Sequence, residues 1–115
     1  NRVLRRFGPP VYTRGPLVRV DEDLSVSFVR REAYVRGRTV PLTPTETKLL
    51  YILMRNAGRA VSADLLVRRL WPLEEVFEDA LRVHIRRLRQ KIEPDAARPR
   101  YIVTQRGTGY CFLDE

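Results

Sequence analysis

The sequence predicts an α+β domain in which a short antiparallel meander is followed by three helices and a C-terminal β-hairpin. Three observations predict this fold: closely spaced strand-like runs before residue 41, three helix-period apolar segments within 43–93, and two β-branched or aromatic runs around a glycine-containing turn after residue 100. With 115 residues, of which 43% are hydrophobic, the chain is long enough for a core without disulfide bonds. Because residues 1–16 are rich in proline and glycine, we expect a linker and the tail of an upstream domain there, and a single domain over 17–115.

The meander is predicted from four short runs. A first run at 17–20 is followed by 24–30, where apolar and polar residues alternate as in a half-buried strand. Two more runs, around Tyr34-Val35 and Thr39-Val40, flank the dipeptide Arg36-Gly37, which is typical of a tight turn. Strands this short and this close together are most simply paired with their neighbours in antiparallel order.

The first helix has a recognisable beginning and end. Thr43 and Glu46 have the spacing of a capping box, and Pro44 occupies the first helical position, where its missing N–H costs nothing. Leucines and other apolar residues then recur on one face, and Gly58 is predicted to stop the helix.

Two further helices follow. Ser62 is predicted to cap the second helix, which Pro72 ends. An acidic connection, 73–79, leads to a third helix over 79–93, which Pro94 closes.

The C-terminal hairpin completes the predicted fold. Tyr101–Gln105 and Tyr110–Leu113 are strand-like, and the turn at 106–109 contains two glycines. Two helices joined by a short turn, then a basic helix, then such a hairpin make a winged helix-turn-helix, with Arg106 at the tip of the wing.

The charge of the chain is unevenly distributed. The formal net charge is +8, and all cations except Lys48 and Lys91 are arginines, which suit phosphates and guanine edges. The segment 82–91 holds five cations and no anion. One cysteine and one histidine exclude a disulfide scaffold and a typical zinc site, and no apolar run is long enough to span a membrane. We predict no cofactor and expect nucleic acid as the partner.

The third helix carries the predicted chemistry. On a helical wheel its core stripe consists of Leu81, Ile85, Leu88 and Ile92. The opposite face presents Val83 and Gln90, flanked by Arg86 and Arg87, with basic shoulders of Arg82, Arg89, His84 and Lys91. Arginine can bond both acceptors of guanine, glutamine can pair with adenine, and a valine methyl can pack on thymine, so this face suits the major groove. An ordinary solvated charged face is the alternative.

Other residues have two open interpretations. Arg106 suits a narrow minor groove but is equally typical of an exposed hairpin tip. Thr104 and Tyr110 can donate hydroxyls to phosphate, although packing is at least as good an explanation for Tyr110. Trp71 most often lies in a core at such a position, and His84 most often packs locally.

The sequence resembles the DNA-binding domain of the OmpR/PhoB family of bacterial two-component response regulators. The resemblance covers roughly residues 17–113 and is carried by these stretches: LTPTETKLL (42–50), GRAVSADLL (58–66), LW (70–71), VHIRRLRQKIEP (83–94) and TQRGTGYCF (104–112). It implies a four-stranded antiparallel N-terminal sheet, three helices and a wing. It also implies a non-enzymatic transcription regulator of the bacterial cytoplasm.

The resemblance and the helical wheel together predict roles for individual residues. The helix over 79–93 is the expected recognition helix in the major groove, with Arg106 in the minor groove. The residues expected to read bases are Val83, Arg87, Gln90 and Arg106. The residues expected to contact phosphates are Trp71, Arg82, His84, Arg86, Arg89, Thr104 and Tyr110. Glu74 and Glu75 in the acidic connection are expected to face RNA polymerase, and a solvated loop that faces no partner is the alternative.

The same resemblance implies the surroundings of the domain. In the full-length protein an upstream receiver domain would be phosphorylated by a sensor histidine kinase. The isolated domain is expected to be a monomer that forms a head-to-tail dimer on direct repeats in double-stranded DNA. No membrane partner is expected.

Three other classes of function compete with this prediction. A winged helix used for protein association should expose aromatic residues rather than an acid-free basic face. An RNA-binding module should offer aromatic stacking surfaces, whereas the tyrosines here are scattered. An enzyme should show a phosphate-binding loop, a nucleophile motif or paired carboxylates, and none is apparent.

Overall fold

The computed structural model describes residues 17–113, which form two compact units, 17–41 and 42–113. The linker predicted at 1–16 lies outside the described residues. The prediction of one domain over 17–115 therefore stays a prediction. Among residues 17–113 no helix has the length and apolar character that a membrane span requires.

The first unit is a four-stranded antiparallel sheet in the order β1-β2-β3-β4, which confirms the expected meander. The strands are β1 (Val18–Arg19), β2 (Leu24–Ser27), β3 (Glu32–Val35) and β4 (Arg38–Pro41). Arg36 and Gly37 both have positive φ, 46° and 84°, as a two-residue turn between antiparallel strands requires.

The second strand is shorter than the alternation over 24–30 predicts. It ends at Ser27, whose hydroxyl accepts a hydrogen bond from the Arg30 N–H at 3.2 Å. The chain then turns through Arg31, which has a φ of 56°. The side-chain bond from Ser27 competes with strand pairing, which explains why the apolar residues Phe28 and Val29 do not extend β2.

In the second unit, α1 (Pro44–Arg55) begins as predicted. The Thr43 hydroxyl accepts from the Glu46 N–H at 3.1 Å, and a Glu46 carboxylate oxygen accepts from the Thr43 N–H at 3.0 Å. The helix ends at Arg55, slightly before the predicted stop signal Gly58, because Asn56 caps it by donating its side-chain N–H to the Ile52 carbonyl at 2.8 Å. Gly58 lies in the turn that follows α1, where its φ of 86° suits glycine.

The other two helices have nearly the predicted bounds. Ser62 caps α2 (Ala63–Leu70) by accepting from the Leu65 N–H at 3.0 Å. The third helix, α3 (Glu78–Ile92), begins and ends one residue earlier than the sequence predicts.

A strand that the sequence did not predict joins the wing. The hairpin strands are β6 (Ile102–Gln105) and β7 (Gly109–Phe112), and β5 (Ala60–Ser62) pairs with β7 on its other side. The sheet order is therefore β5-β7-β6. At Gly109 a Cβ atom would overlap the Val61 carbonyl oxygen, so the close approach of β5 requires glycine there.

The core of the second unit is formed by the inner faces of its three helices and by its sheet. These buried side chains include Leu49, Leu50, Leu53, Leu66, Leu70, Leu81, Ile85, Leu88, Ile92, Tyr101, Ile102 and Phe112. Tyr101 and Phe112 stack with ring centroids 6.0 Å apart. This core fixes which face of α3 is left for solvent.

Candidate nucleic-acid interface

The outer face of α3 is a row of side chains directed to solvent. Val83 keeps 40% of its surface exposed, and Arg86, Arg87 and Gln90 are also exposed. The predicted core stripe of this helix is buried throughout, so the wheel orientation is confirmed. Among the described residues neither Arg86 nor Arg87 has a side-chain hydrogen bond or an acidic partner. Both guanidinium groups are therefore available to an external anion.

Arg82, at the start of the same face, is already paired. Its guanidinium contacts the Asp79 carboxylate at 3.1 Å, with both side chains largely exposed. Such a pair stabilises the helix by only about 0.2–1 kcal/mol, so a phosphate can replace Asp79 at little cost. Asp79 and Glu78 lie in the first turn of α3, where the helix dipole stabilises negatively charged side chains.

His84 and Trp71 pack together beside this face. Their ring centroids are 5.3 Å apart at 48°, and both side chains are half-buried. The Nδ1 atom of His84 is buried without a hydrogen-bond partner among the described residues. Trp71 is the C-cap of α2, so the contact also fixes the end of α2 against α3.

Arg89 is bound to the wing rather than extended into solvent. Its Nε atom donates to the Ile102 carbonyl and its Nη2 atom donates to the Thr104 hydroxyl, both at 3.0 Å. The guanidinium carbon lies 5.8 Å from the ring centre of Tyr110. Burial lowers the pKa of Arg89, while Tyr110 and Glu93 act in the opposite direction. Three of the predicted phosphate contacts are thus brought together: Arg89, Thr104 and Tyr110.

Lys91 does not serve as the free basic shoulder that the wheel suggested. Its ammonium group contacts the carboxylate of Glu46, which is 2% exposed, at 2.5 Å. The same carboxylate oxygen belongs to the capping box of α1. The wheel gives the direction of Lys91 but cannot show that a buried acid from another helix lies within reach.

The wing ends in a tight turn. The Thr108 N–H donates to the Gln105 carbonyl at 2.9 Å, and Gly107 has a φ of 79°. Arg106 is exposed at this tip, as predicted, and its side chain has no partner among the described residues. The predicted four-residue turn is one residue shorter, because Gly109 already pairs with β5.

An open groove runs between α3 and the wing. On the helix side it is lined by Val83, Arg86 and Gln90, and on the wing side by Thr104 and Tyr110. A neighbouring depression continues along the wing to Arg106. The arrangement presents a protruding basic helix and a basic hairpin tip along one surface. Such a surface suits a polyanion with grooves better than a small molecule.

The acidic connection between α2 and α3 is exposed. Glu74 and Glu75 extend into solvent, and Leu73 and Phe77 keep 96% and 72% of their surface exposed. Phe77 is the N-cap of α3 and makes no side-chain cap bond. The sequence analysis did not identify Leu73 and Phe77 as exposed. Their position beside Glu74, Glu75, Glu78 and Asp79 could have indicated it, because a segment rich in acids lies at the surface.

Glu93 is the functional candidate that sequence reasoning missed. It follows α3 directly and is 5% exposed. Its carboxylate accepts hydrogen bonds from the N–H groups of Arg100, Tyr101 and Ile102 at 2.7–3.1 Å. In the sequence, a glutamate directly before Pro94 is typical of an exposed residue at a helix end. Only the fold shows that the start of β6 lies beside it.

The comparisons with known proteins agree on one family. The model of the family described as "Transcriptional regulatory protein, C terminal" matches residues 37–112. The DNA-binding dual master transcriptional regulator RpaA of Synechocystis is 39% identical over 102 residues, which are 88% of this chain and 39% of RpaA.

Solved structures show the same fold. The response regulator DrrB of Thermotoga maritima, an OmpR/PhoB homologue, superposes with a TM-score of 0.78 at 29% identity over 96% of this chain and 55% of DrrB. The RstA DNA-binding domain of Klebsiella pneumoniae, solved in complex with the RstA box, has a TM-score of 0.75 at 26% identity over 88% of this chain and 100% of that domain. This chain therefore spans well under two thirds of RpaA and DrrB.

Proposed function

The chain belongs to the C-terminal domains of OmpR/PhoB-type transcriptional regulatory proteins, a family of DNA-binding domains rather than enzymes, and from this premise we propose how it binds DNA. Its α3 is the recognition helix and enters the major groove of double-stranded DNA, while Arg106 enters the adjacent minor groove. The supporting observation is that Arg86 and Arg106, which have no acidic partner among the described residues, line the two adjoining depressions between α3 and the wing. Arg87 is exposed on the same helix.

The proposed roles of the side chains are assigned from their positions on the helical wheel of α3 and around it. Arg87 and Gln90, with Val83, contact bases, because they lie on the side of α3 that faces away from the core. The groups proposed to contact phosphates surround this row: Trp71, Arg82, His84, Arg86, Arg89, Thr104 and Tyr110. Phosphate contacts would fix the register of α3 on the duplex, and base contacts would select the sequence.

The larger assembly is also a proposal. In the full-length protein this domain follows a receiver domain that a sensor histidine kinase phosphorylates, and it acts in the bacterial cytoplasm. Two copies bind direct repeats head to tail, with half-sites about one helical turn apart. The isolated domain is a monomer that dimerises only on such DNA. RNA polymerase contacts the exposed connection that holds Glu74 and Glu75, which also keeps those acids away from phosphate.

Selection of bound sequences from a random duplex pool tests the proposal. We expect enrichment of one short motif that occurs as a direct repeat, and sedimentation should show a monomer alone and two copies on the enriched duplex. Sedimentation as a stable dimer without DNA would contradict the assembly. The absence of any duplex binding would favour a winged helix that binds protein, and enrichment from a single-stranded RNA pool alone would favour an RNA-binding module.

A further inference from the structure

The contact between α3 and the wing is made by two charged side chains at the C-terminal end of the helix. Glu93 accepts a hydrogen bond from the Ile102 N–H at 2.8 Å, and Arg89, one turn earlier, donates to the Ile102 carbonyl at 3.0 Å. Both backbone polar groups of Ile102 are therefore bound by side chains from the C-terminal end of the recognition helix, namely Arg89 in α3 and its C-cap Glu93.

Ile102 lies in β6, which is an edge strand. Within residues 17–113, the sheet order β5-β7-β6 leaves one side of β6 without a neighbouring strand. An edge strand normally presents unpaired N–H and C=O groups on that side. Here Glu93 and Arg89 bind those groups and connect β6 to α3 where a further strand would otherwise lie.

Glu93 extends this connection beyond a single residue. Its Oε1 atom also accepts from the N–H groups of Arg100 and Tyr101, at 2.7 Å and 3.0 Å. Three consecutive N–H groups at the start of the wing therefore converge on one side chain that is 5% exposed. A carboxylate so enclosed cannot reach DNA, so an effect of Glu93 on DNA binding acts either through the position of the wing or through the folded fraction of the protein.

We propose that Glu93, with Arg89, is a positioning residue for DNA binding that fixes the wing relative to the recognition helix so that both engage one duplex together. The proposal rests on the proposed function. Two linked binding elements reinforce each other only when their geometry allows simultaneous contact. The bonds to Ile102 supply that geometry, because they join the base of the wing to the last turns of α3.

The test compares the variant Glu93→Gln on two duplexes derived from the selected site. The long duplex contains the bases beneath α3 and the minor groove beneath the wing, and the short duplex ends before that minor groove. We expect Glu93→Gln to weaken binding to the long duplex by about 10-fold and binding to the short duplex by less than about 2-fold, because only the long duplex needs both elements. Simple loss of a negative charge would strengthen binding to both duplexes.

Two further variants make the comparison interpretable. Asp95→Asn removes the same charge two residues away and keeps an oxygen that can accept from the Ala97 N–H, as Asp95 does at 3.0 Å, so we expect no loss on either duplex. Arg106→Ala removes the tip contact and should also lose affinity only on the long duplex, which verifies that the short duplex lacks the wing site.

Equal losses on both duplexes, or no loss on either, would overturn the proposal, since a merely structural role lowers the folded fraction for every ligand alike. If Glu93→Gln does not fold, Glu93→Asp carries the same test, because it keeps the charge but its shorter side chain cannot reach the N–H groups of Arg100, Tyr101 and Ile102 together. Failure of the unmodified protein to bind either duplex would instead overturn the proposed function.

Discussion

At the scale of the residue, cations on the same helix differ in what they already bind. Arg82 contacts Asp79, Lys91 contacts Glu46, and Arg89 is bonded to β6, whereas Arg86 and Arg87 have no acidic partner among the described residues. A cation that must first leave a partner gains less net free energy from a phosphate. We therefore expect Arg86 and Arg87 to contribute more to DNA affinity than the charge count alone suggests.

The first prediction separates these two arginines, which are about 100° apart on the helix and so face different parts of the duplex. Arg87→Ala should cost about 1–3 kcal/mol on the preferred site and relax selectivity at one base position. Arg86→Ala should weaken binding to all sequences alike and reduce the salt slope by about one unit. The measurement is the affinity of each variant for a panel of single-base site variants at two salt concentrations.

Each variant is the control for the other, because both remove one exposed positive charge from adjacent positions. Uniform loss with Arg87→Ala, together with altered base preference in Arg86→Ala, would show that the assigned roles are reversed. If neither substitution changes affinity, α3 is not the element that reads DNA.

At the scale of the element, the wing depends on a strand from elsewhere in the chain. Ser62 pairs with Gly109, and this pairing leaves no room for a Cβ atom beside the backbone of β5. Ser62 is at the same time the N-cap of α2. The turn end of β7 and the start of α2 are therefore held by the same few residues.

The second prediction concerns this close approach. Gly109→Ala should lower the free energy of unfolding by about 1–3 kcal/mol, because the added methyl group meets backbone atoms that have to shift. Chemical denaturation measures the effect. The matched control is Gly107→Asn, at the tip, where there is open space and asparagine tolerates positive φ. Unfolding free energies unchanged by Gly109→Ala would mean that β5 and β7 separate easily.

The third prediction concerns the acidic connection. Replacing both Glu74 and Glu75 with glutamine should leave DNA affinity unchanged or raise it modestly, because the loop is exposed and its charge repels phosphate. A duplex titration of the double variant checks this. A large loss of binding would place the loop on the DNA and would argue against its proposed contact with RNA polymerase.

At the scale of the whole molecule, the net charge of +8 is not spread evenly. In the second unit, α3 and the wing tip present exposed arginines, while exposed acids occupy the connection from α2 to α3. This separation of charge would orient the molecule as it approaches a polyanion and would accelerate association at low salt.

The fourth prediction follows from that distribution. If about five side chains neutralise phosphates, the logarithm of the binding constant should fall with the logarithm of the salt concentration at a slope of about −4 to −5. Titrations at several salt concentrations give the slope directly. Affinity that does not depend on salt would exclude an electrostatic interface, whatever the sequence preference.

The sequence by itself determined the features that depend on neighbouring residues. Caps at Thr43 and Ser62, the apolar period of α3 and the glycine turn of the wing are local, and each was placed to within about one residue. The outward direction of Val83, Arg86, Arg87 and Gln90 followed from the same period, because burial of one helix face fixes the opposite face.

Only the tertiary structure decided features that join distant parts of the chain. The strand β5 has a single buried apolar residue, Val61, and becomes a strand because β7, almost fifty residues later, pairs with it. The sequence predicts exposed charges at positions 91 and 93. In the structure, Lys91 contacts Glu46, and Glu93 accepts hydrogen bonds from the start of β6. The physical reason is that periodicity fixes the direction of a side chain, whereas its hydrogen-bond partner depends on which backbone or acid the packed core brings within 3 Å.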